Sequence, residues 1–170
     1  MHTRRSFLQQ TLFASGGLVL NSISSCTMSK IKISLAEWSL HRSLEGGKID
    51  NLNFPSIAKN KFGIDAVEYV NGFFKTSTKD FKEVAKDEKY LNELLVRSKD
   101  VGVYNHLIMV DNEGSLATPV ESERLIAVDN HKKWIDAAKH LGCATVRVNL
   151  HGEGSTEDKL NASVDSLSRL

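Results

Sequence analysis

The stretch His140-Leu141-Gly142-Cys143-Ala144-Thr145-Val146-Arg147-Val148-Asn149-Leu150-His151 reads as a helix handing over to a strand. Gly142 stands at the handover, where only glycine takes the left-handed conformation that ends a helix without a steric penalty. Beyond it Val146, Val148 and Leu150 alternate with Thr145, Arg147, Asn149 and His151. One face of the strand is therefore apolar and suited to packing under helices, while the other is polar.

The same handover occurs twice upstream. Lys61-Phe62-Gly63 precedes Ile64 to Val70, and Asp100-Val101-Gly102 precedes Val103 to Val110, so the three glycines are spaced 39 and 40 residues apart. That period suits one βα unit, because the run after each glycine is rich in Val and Ile. The helices carry start signals. Thr118-Pro119-Val120-Glu121 has the form of a capping box with proline at the first helical position, and Leu125, Val128, Ile135 and Ala138 follow at helical spacing. Leu91, Leu94, Leu95 and Ser98 form the face of the helix before Gly102, and Phe54, Ile57, Ala58 and Phe62 that of a short one before Gly63. A fourth helix starts at Ser155 with Asp158 three residues on, and Leu160, Val164 and Leu167 recur along it.

With Ile31 to Ser39 taken as the first strand, residues 30–170 hold four βα units. Right-handed crossovers without a reversal of strand order favour a closed barrel of about eight units. The expected fold is therefore α/β: the N-terminal half of a (β/α)8 TIM barrel, with parallel strands and outer helices. No glycine and strand follow the fourth helix, so the chain reads as cut after that unit. The two sheet edges left unpaired favour self-association.

Residues 1–26 are a separate segment. Thr3-Arg4-Arg5-Ser6-Phe7-Leu8-Gln9, a weakly apolar stretch from Thr11 to Leu20, and Ile23-Ser24-Ser25-Cys26 follow the charged, apolar, small-residue order of an export signal. The Arg4-Arg5 pair before Phe7-Leu8 resembles the twin-arginine signal, and the last four residues resemble a lipobox ending at a lipidated Cys26. The expected location is the periplasm or cell envelope, with membrane contact only through a lipid anchor. Lipidation of Cys26 leaves Cys143, the second of two cysteines, without an intrachain partner, and its apolar setting points to a small buried side chain. With 22 Lys+Arg against 21 Asp+Glu the chain lacks the basic footprint of a nucleic-acid binder.

In barrels of this type chemistry gathers at the carboxyl ends of the strands. Those ends hold Trp38 and His41, Glu68 to Gly72, Asn105-His106 to Gly114, and Arg147 to Gly152. Glu68 lies between Val67 and Tyr69, where a carboxylate needs a partner: a substrate, a cation, or an inward arginine such as Arg147. His151 is a candidate substrate contact or metal ligand, with helix capping as the alternative. His106, amid Leu107, Ile108 and Met109, fits a core histidine as well as a ligand, and His131 and His140 read as surface residues of the third helix. His41 sits in a loop beside Arg42. Trp38 either stacks on a sugar ring or closes the barrel floor. No HExxH, CxxC, GxGxxG, Walker or GxSxG pattern is present, which removes the usual support for metalloprotease, dinucleotide and serine-hydrolase readings.

Three segments, Ser34-Leu35-Ala36-Glu37-Trp38-Ser39-Leu40-His41, Phe62 to Asn71, and Leu141 to Asn149, resemble the sugar phosphate isomerase/epimerase proteins of the xylose isomerase-like barrel superfamily. The resemblance implies isomerisation or epimerisation of a sugar or polyol, assisted by a divalent cation (Mn²⁺, Mg²⁺, Co²⁺ or Zn²⁺) that polarises a carbonyl while a carboxylate moves the neighbouring proton. The family's metal-binding Glu, Asp and His residues lie mostly on strands five to eight. The substrate-facing residues implied here are Trp38, Glu68, His106, Arg147, Asn149 and His151, with His151 also a metal candidate and no catalytic residue assigned. The alternative is a lipoprotein module that binds carbohydrate without turnover.

Overall fold

Four parallel strands pair in sequential order, β1-β2-β3-β4, in a computed structural model that describes residues 31–170, of which 33–170 form one unit. Arg4, Arg5 and Cys26, which the sequence reads as an export signal, lie outside the described residues. Strand β1 is Leu35–Ala36, β2 Ala66–Val70, β3 Tyr104–Val110 and β4 Thr145–Val148. The helices are α1 (His41–Glu45), α2 (Phe54–Phe62), α3 (Phe81–Val84), α4 (Glu88–Asp100), α5 (Glu121–Leu141) and α6 (Thr156–Arg169), with 3-10 turns at Glu37–Leu40 and Asn71–Phe73. This is the α/β class the sequence predicts, and the uninterrupted parallel order is that of the first four units of a (β/α)8 barrel. Among the described residues no helix is long and apolar enough to cross a membrane.

The glycine handovers form as expected: φ is 65° at Gly63, 66° at Gly102 and 71° at Gly142. Register places Ala36 beside Glu68, Glu68 beside Leu107, and Leu107 beside Thr145, with Met109 and Arg147 paired one layer nearer the strand ends. A bulge between Val67 and Glu68 skips His106 in that pairing. Val67, Tyr69, Ile108, Val110 and Val146 join Phe54, Phe74, Leu94, Trp134 and Leu141 in one apolar core. The buried aromatic rings meet edge-on, Tyr69 with Phe74 and Phe74 with Trp134, at centroid distances of 5.7 and 5.3 Å.

Several expectations are corrected. The first strand is two residues long rather than nine, because the chain turns at Glu37, whose buried carboxylate accepts from Val70 N at 2.7 Å and Asn51 Nδ2 at 2.9 Å. The capping box at Thr118 does not form. Helix α5 starts at Glu121 with Val120 as its cap, while Arg124 Nη1 donates to the Thr118 carbonyl at 3.0 Å and holds Thr118-Pro119 outside the helix. Its inward face is Ala127, Val128, His131, Trp134, Ala138 and Leu141. Leu125 is exposed and His131, read as a surface residue, is buried. The cause is Trp134, whose indole donates to Glu113 Oε1 at 2.8 Å and fixes the rotation of the helix. On α6 the expected capping box is present at Ser155 and Asp158. Its buried residues, however, are Ala162, Ser163 and Ser166 rather than the leucine stripe. Ser166 Oγ donates to the Leu116 carbonyl at 2.6 Å, a contact that needs small residues on that face.

The loops after β3 and β4 are stitched together. Ala117 N donates to the His151 carbonyl at 3.1 Å. A Cβ at Gly152 would lie 2.2 Å from the Ala117 oxygen and 2.6 Å from Thr118 N. Only glycine permits that backbone approach.

Candidate functional site

A cavity of about 430 Å³ opens at the carboxyl ends of the strands, lined by Ala36, Trp38, Ser39, Val70, Met109, Asp111 and Arg147. Residues from both edge strands reach it, although β1 and β4 would stand ~14 Å apart in a flat sheet. Its polar wall is a chain of side chains. Asn149 Nδ2 donates to Asp111 Oδ1, and Arg147 Nη2 donates to Asn149 Oδ1 at 2.7 Å. Arg147 Nη1 stands 3.9 Å from the same Asp111 oxygen. Arg147 and Asp111 thus face each other as a half-exposed ion pair with an amide between them, and the wall carries no net charge.

Asp111 falls in the stretch past strand three that the sequence marks, but no role is assigned to it there. Its backbone is fixed by Asn71, which is fully buried: Asn71 Nδ2 donates to the Asp111 carbonyl at 2.8 Å, and Asp111 N donates to Asn71 Oδ1 at 3.0 Å. Asn112 follows at φ 60°, a left-handed turn that asparagine tolerates. The turn sends Glu113 inward, where Lys133 Nζ at 2.9 Å and the Trp134 indole neutralise and bind its carboxylate. Two acids one residue apart are thereby separated, Asp111 into the cleft and Glu113 into the core. The only sequence signal was their position just past strand three.

Trp38 lines the opposite wall and remains 55% exposed. His41 stacks on it at 4.7 Å, with rings 15° apart, and its Nδ1–H donates to the Trp38 carbonyl at 2.8 Å. Phe73 lies 6.5 Å from the same indole. Beneath this wall Glu37 is sealed from water, and burial pushes its carboxyl up to about 8, against the opposing effect of its bonds from Val70 and Asn51. Tyr90 extends the network by donating to Asn51 Oδ1 at 2.8 Å.

The cleft thus unites Trp38 and Arg147, and Asn149 touches it through Asp111. Glu68 lies one layer deeper and accepts from Ser34 Oγ, while Arg147 pairs with Asp111 instead, so the ion pair weighed for Glu68 and Arg147 is not made. His106 sits lower on β3, its ring 6.0 Å from Tyr104. His151 is an exposed loop residue that does not line the cavity. His140 is exposed and meets Asn92 Oδ1 at 2.9 Å. Burial pushes the Cys143 thiol up to about 12, so it stays protonated and un-nucleophilic at neutral pH.

The residues present do not fit a divalent cation. Asp111 is the one carboxylate among the cavity's described lining residues, and a guanidinium already faces it. Among the described residues no three His, Cys, Asp or Glu side chains gather as a cation site requires.

No protein-family model matches this chain, and no curated protein does. Among solved structures, an L-ribulose 3-epimerase superposes on 81% of this chain and 44% of its own chain, at 18% sequence identity and a TM-score of 0.47. The chain thus spans less than half the length of that structure. The fold class rests on the strand order and register described above.

Proposed function

We propose that this chain is the substrate-facing, N-terminal part of an exported sugar isomerase or epimerase acting on a neutral sugar or polyol. The observation that carries the reading is the cleft itself: an open indole faces a self-neutralised Asp111–Asn149–Arg147 wall at the carboxyl ends of parallel strands. A pyranose or open-chain polyol presents apolar C–H faces to an aromatic ring and hydroxyls to such a wall. Asp111 Oδ2 accepts no bond from a described residue and is open to a ligand hydroxyl, and Arg147 offers further donors. Buried Asn71 holds Asp111 in place beforehand, which reduces the ordering cost of binding.

The three sequence segments that resemble sugar phosphate isomerases support the reaction class, and the Arg4-Arg5 and Cys26 motifs support export by the twin-arginine route with a lipid anchor. The cation expected for a complete barrel of that family has no cage among the described residues. Proton transfer beside a carbonyl therefore belongs to groups beyond this half, and the half described orients the sugar. That same lack of a cage among the described residues favours one other reading, a carbohydrate-binding lipoprotein without turnover.

Titration of the full chain with aldoses, ketoses and polyols, followed by tryptophan fluorescence and calorimetry, tests binding. We expect saturable binding of at least one neutral sugar, weakened about tenfold or more by Trp38→Ala. No binding across the series would refute the proposal. A chain longer than this one that binds sugar yet neither isomerises nor epimerises it would decide for the binding module.

A further inference from the structure

Asp111 and Arg147 are the charged groups among the cleft's described lining residues. Their side chains are 33% and 48% exposed, so a ligand in the cleft reaches both. Asn149 fixes the pair, accepting from Arg147 Nη2 at 2.7 Å and donating to Asp111 Oδ1. The direct approach of Arg147 Nη1 to Asp111 Oδ1, at 3.9 Å, is too long for a hydrogen bond. The guanidinium therefore keeps N–H donors for a ligand, and the carboxylate keeps Oδ2. A second acid stands beneath them. In β2 Val67 and Tyr69 belong to the apolar core, so alternation puts Glu68 on the face of Val70, which lines the cavity. Glu68 is half-buried, and its described partner is the uncharged hydroxyl of Ser34. Arg147 is the one Lys or Arg in strands β1 to β4. Two carboxylates thus share this end of the sheet with a single guanidinium.

We infer that Asp111 is a specificity-determining residue: its carboxylate offsets Arg147, so the cleft takes uncharged polyhydroxy ligands and turns away anionic ones such as sugar acids and sugar phosphates. An arginine alone at a strand end would draw such anions through its planar fork of donors. Here an anion that reaches the guanidinium also meets Asp111 beside it and Glu68 below, and like charges at that range repel. An uncharged ligand meets no such repulsion and uses both partners, one hydroxyl donating to Asp111 Oδ2 and another accepting from Arg147. The placement of Asp111 is built into the fold, since fully buried Asn71 spends both ends of its amide on the Asp111 backbone. This inference rests on the reading of the cleft as a sugar site, but its anion arm is measured without a neutral sugar.

Asp111→Asn tests it, because asparagine keeps an oxygen for Asn149 and the backbone bonds to Asn71 while removing the charge. The full chain and the variant are titrated with neutral aldoses, ketoses and polyols, with glucuronate, and with inorganic phosphate. Calorimetry gives affinities, and the NMR resonance of the Arg147 guanidinium separates binding in the cleft from binding at surface lysines. We expect the unaltered chain to bind its best neutral sugar at least tenfold more tightly than glucuronate. Asp111→Asn should raise the affinity for glucuronate and phosphate about tenfold or more and lower that for the neutral sugar. Adding Arg147→Gln should abolish the gain. An unaltered chain that binds glucuronate as tightly as a neutral sugar overturns the inference. So does a variant that gains no anion affinity, or a gain that survives Arg147→Gln. If no neutral sugar binds but Asp111→Asn still gains phosphate at Arg147, the sugar reading falls and the charge role of Asp111 stands. If a neutral sugar binds and the variant gains nothing, the reverse holds. Should Asp111→Asn fail to fold, Asp111→Ser carries the same expectation, and the preference of the unaltered chain for neutral over anionic sugar decides the matter.

Discussion

Glu37 is a carboxyl with no exposed surface and two donors, and burial pushes its pKa up to about 8. An unfolded chain releases that proton near 4.5, so the folded state binds it more tightly between those values. The stabilising contribution is complete below about 4.5, declines as pH rises through 8, and is gone above it. Unfolding free energies from denaturant titrations at about pH 5 to about pH 9 should fall by a few kcal/mol, and Glu37→Gln should flatten that fall. Asn71→Ala should cost about 1–3 kcal/mol, because it strips the partner from two backbone groups of Asp111, and should also lower sugar affinity; chemical denaturation and calorimetry report the two effects separately. At this scale the sequence was partly legible. Trp38, Arg147 and Asn149 could be found from strand ends and alternation, whereas Asp111 and Glu113 lie in a loop with no period. What sends one acid to the cleft and the other to the core is a single left-handed turn at Asn112.

Helices show where periodicity misleads. On α5 the apolar spacing pointed to Leu125 and Ile135, but the bond from the Trp134 indole to Glu113 turns the helix so that His131 faces inward. Burial then lowers the His131 affinity for protons, and its Nδ1–H donates to the Ala127 carbonyl at 2.7 Å. Hydropathy cannot anticipate a helix set by one buried polar anchor. That anchor is testable. Lys133→Met leaves the Glu113 carboxylate uncompensated in the core and should destabilise the fold by about 3–5 kcal/mol, read from equilibrium unfolding; Glu113→Gln in the same background should restore part of the loss. On α6 the start signal was legible and the face was not. Ser155→Ala removes the oxygen that accepts from Asp158 N at 3.1 Å and should cost about 1 kcal/mol, visible as a lower melting temperature.

For the molecule as a whole, the glycine period carried the architecture, because each unit must end one helix and begin one strand at the same point. The length of β1 was hidden, since its end is set by the contact of Glu37 with Val70, a residue 33 positions away. Among the described residues β2 and β3 are paired on both sides, which gives their amides more protection than pairing on one side. Hydrogen exchange should therefore be slowest at Val67–Val70 and Ile108–Val110. The stitch between Ala117 and Gly152 has a different consequence. Neither residue lines the cleft, and yet position 152 has no room for even a methyl group. In a library randomised at every codon, survivors at that site would report selection for a folded chain alone. Comparing their enrichment with that at Trp38 would separate pressure to fold from pressure to bind within one experiment.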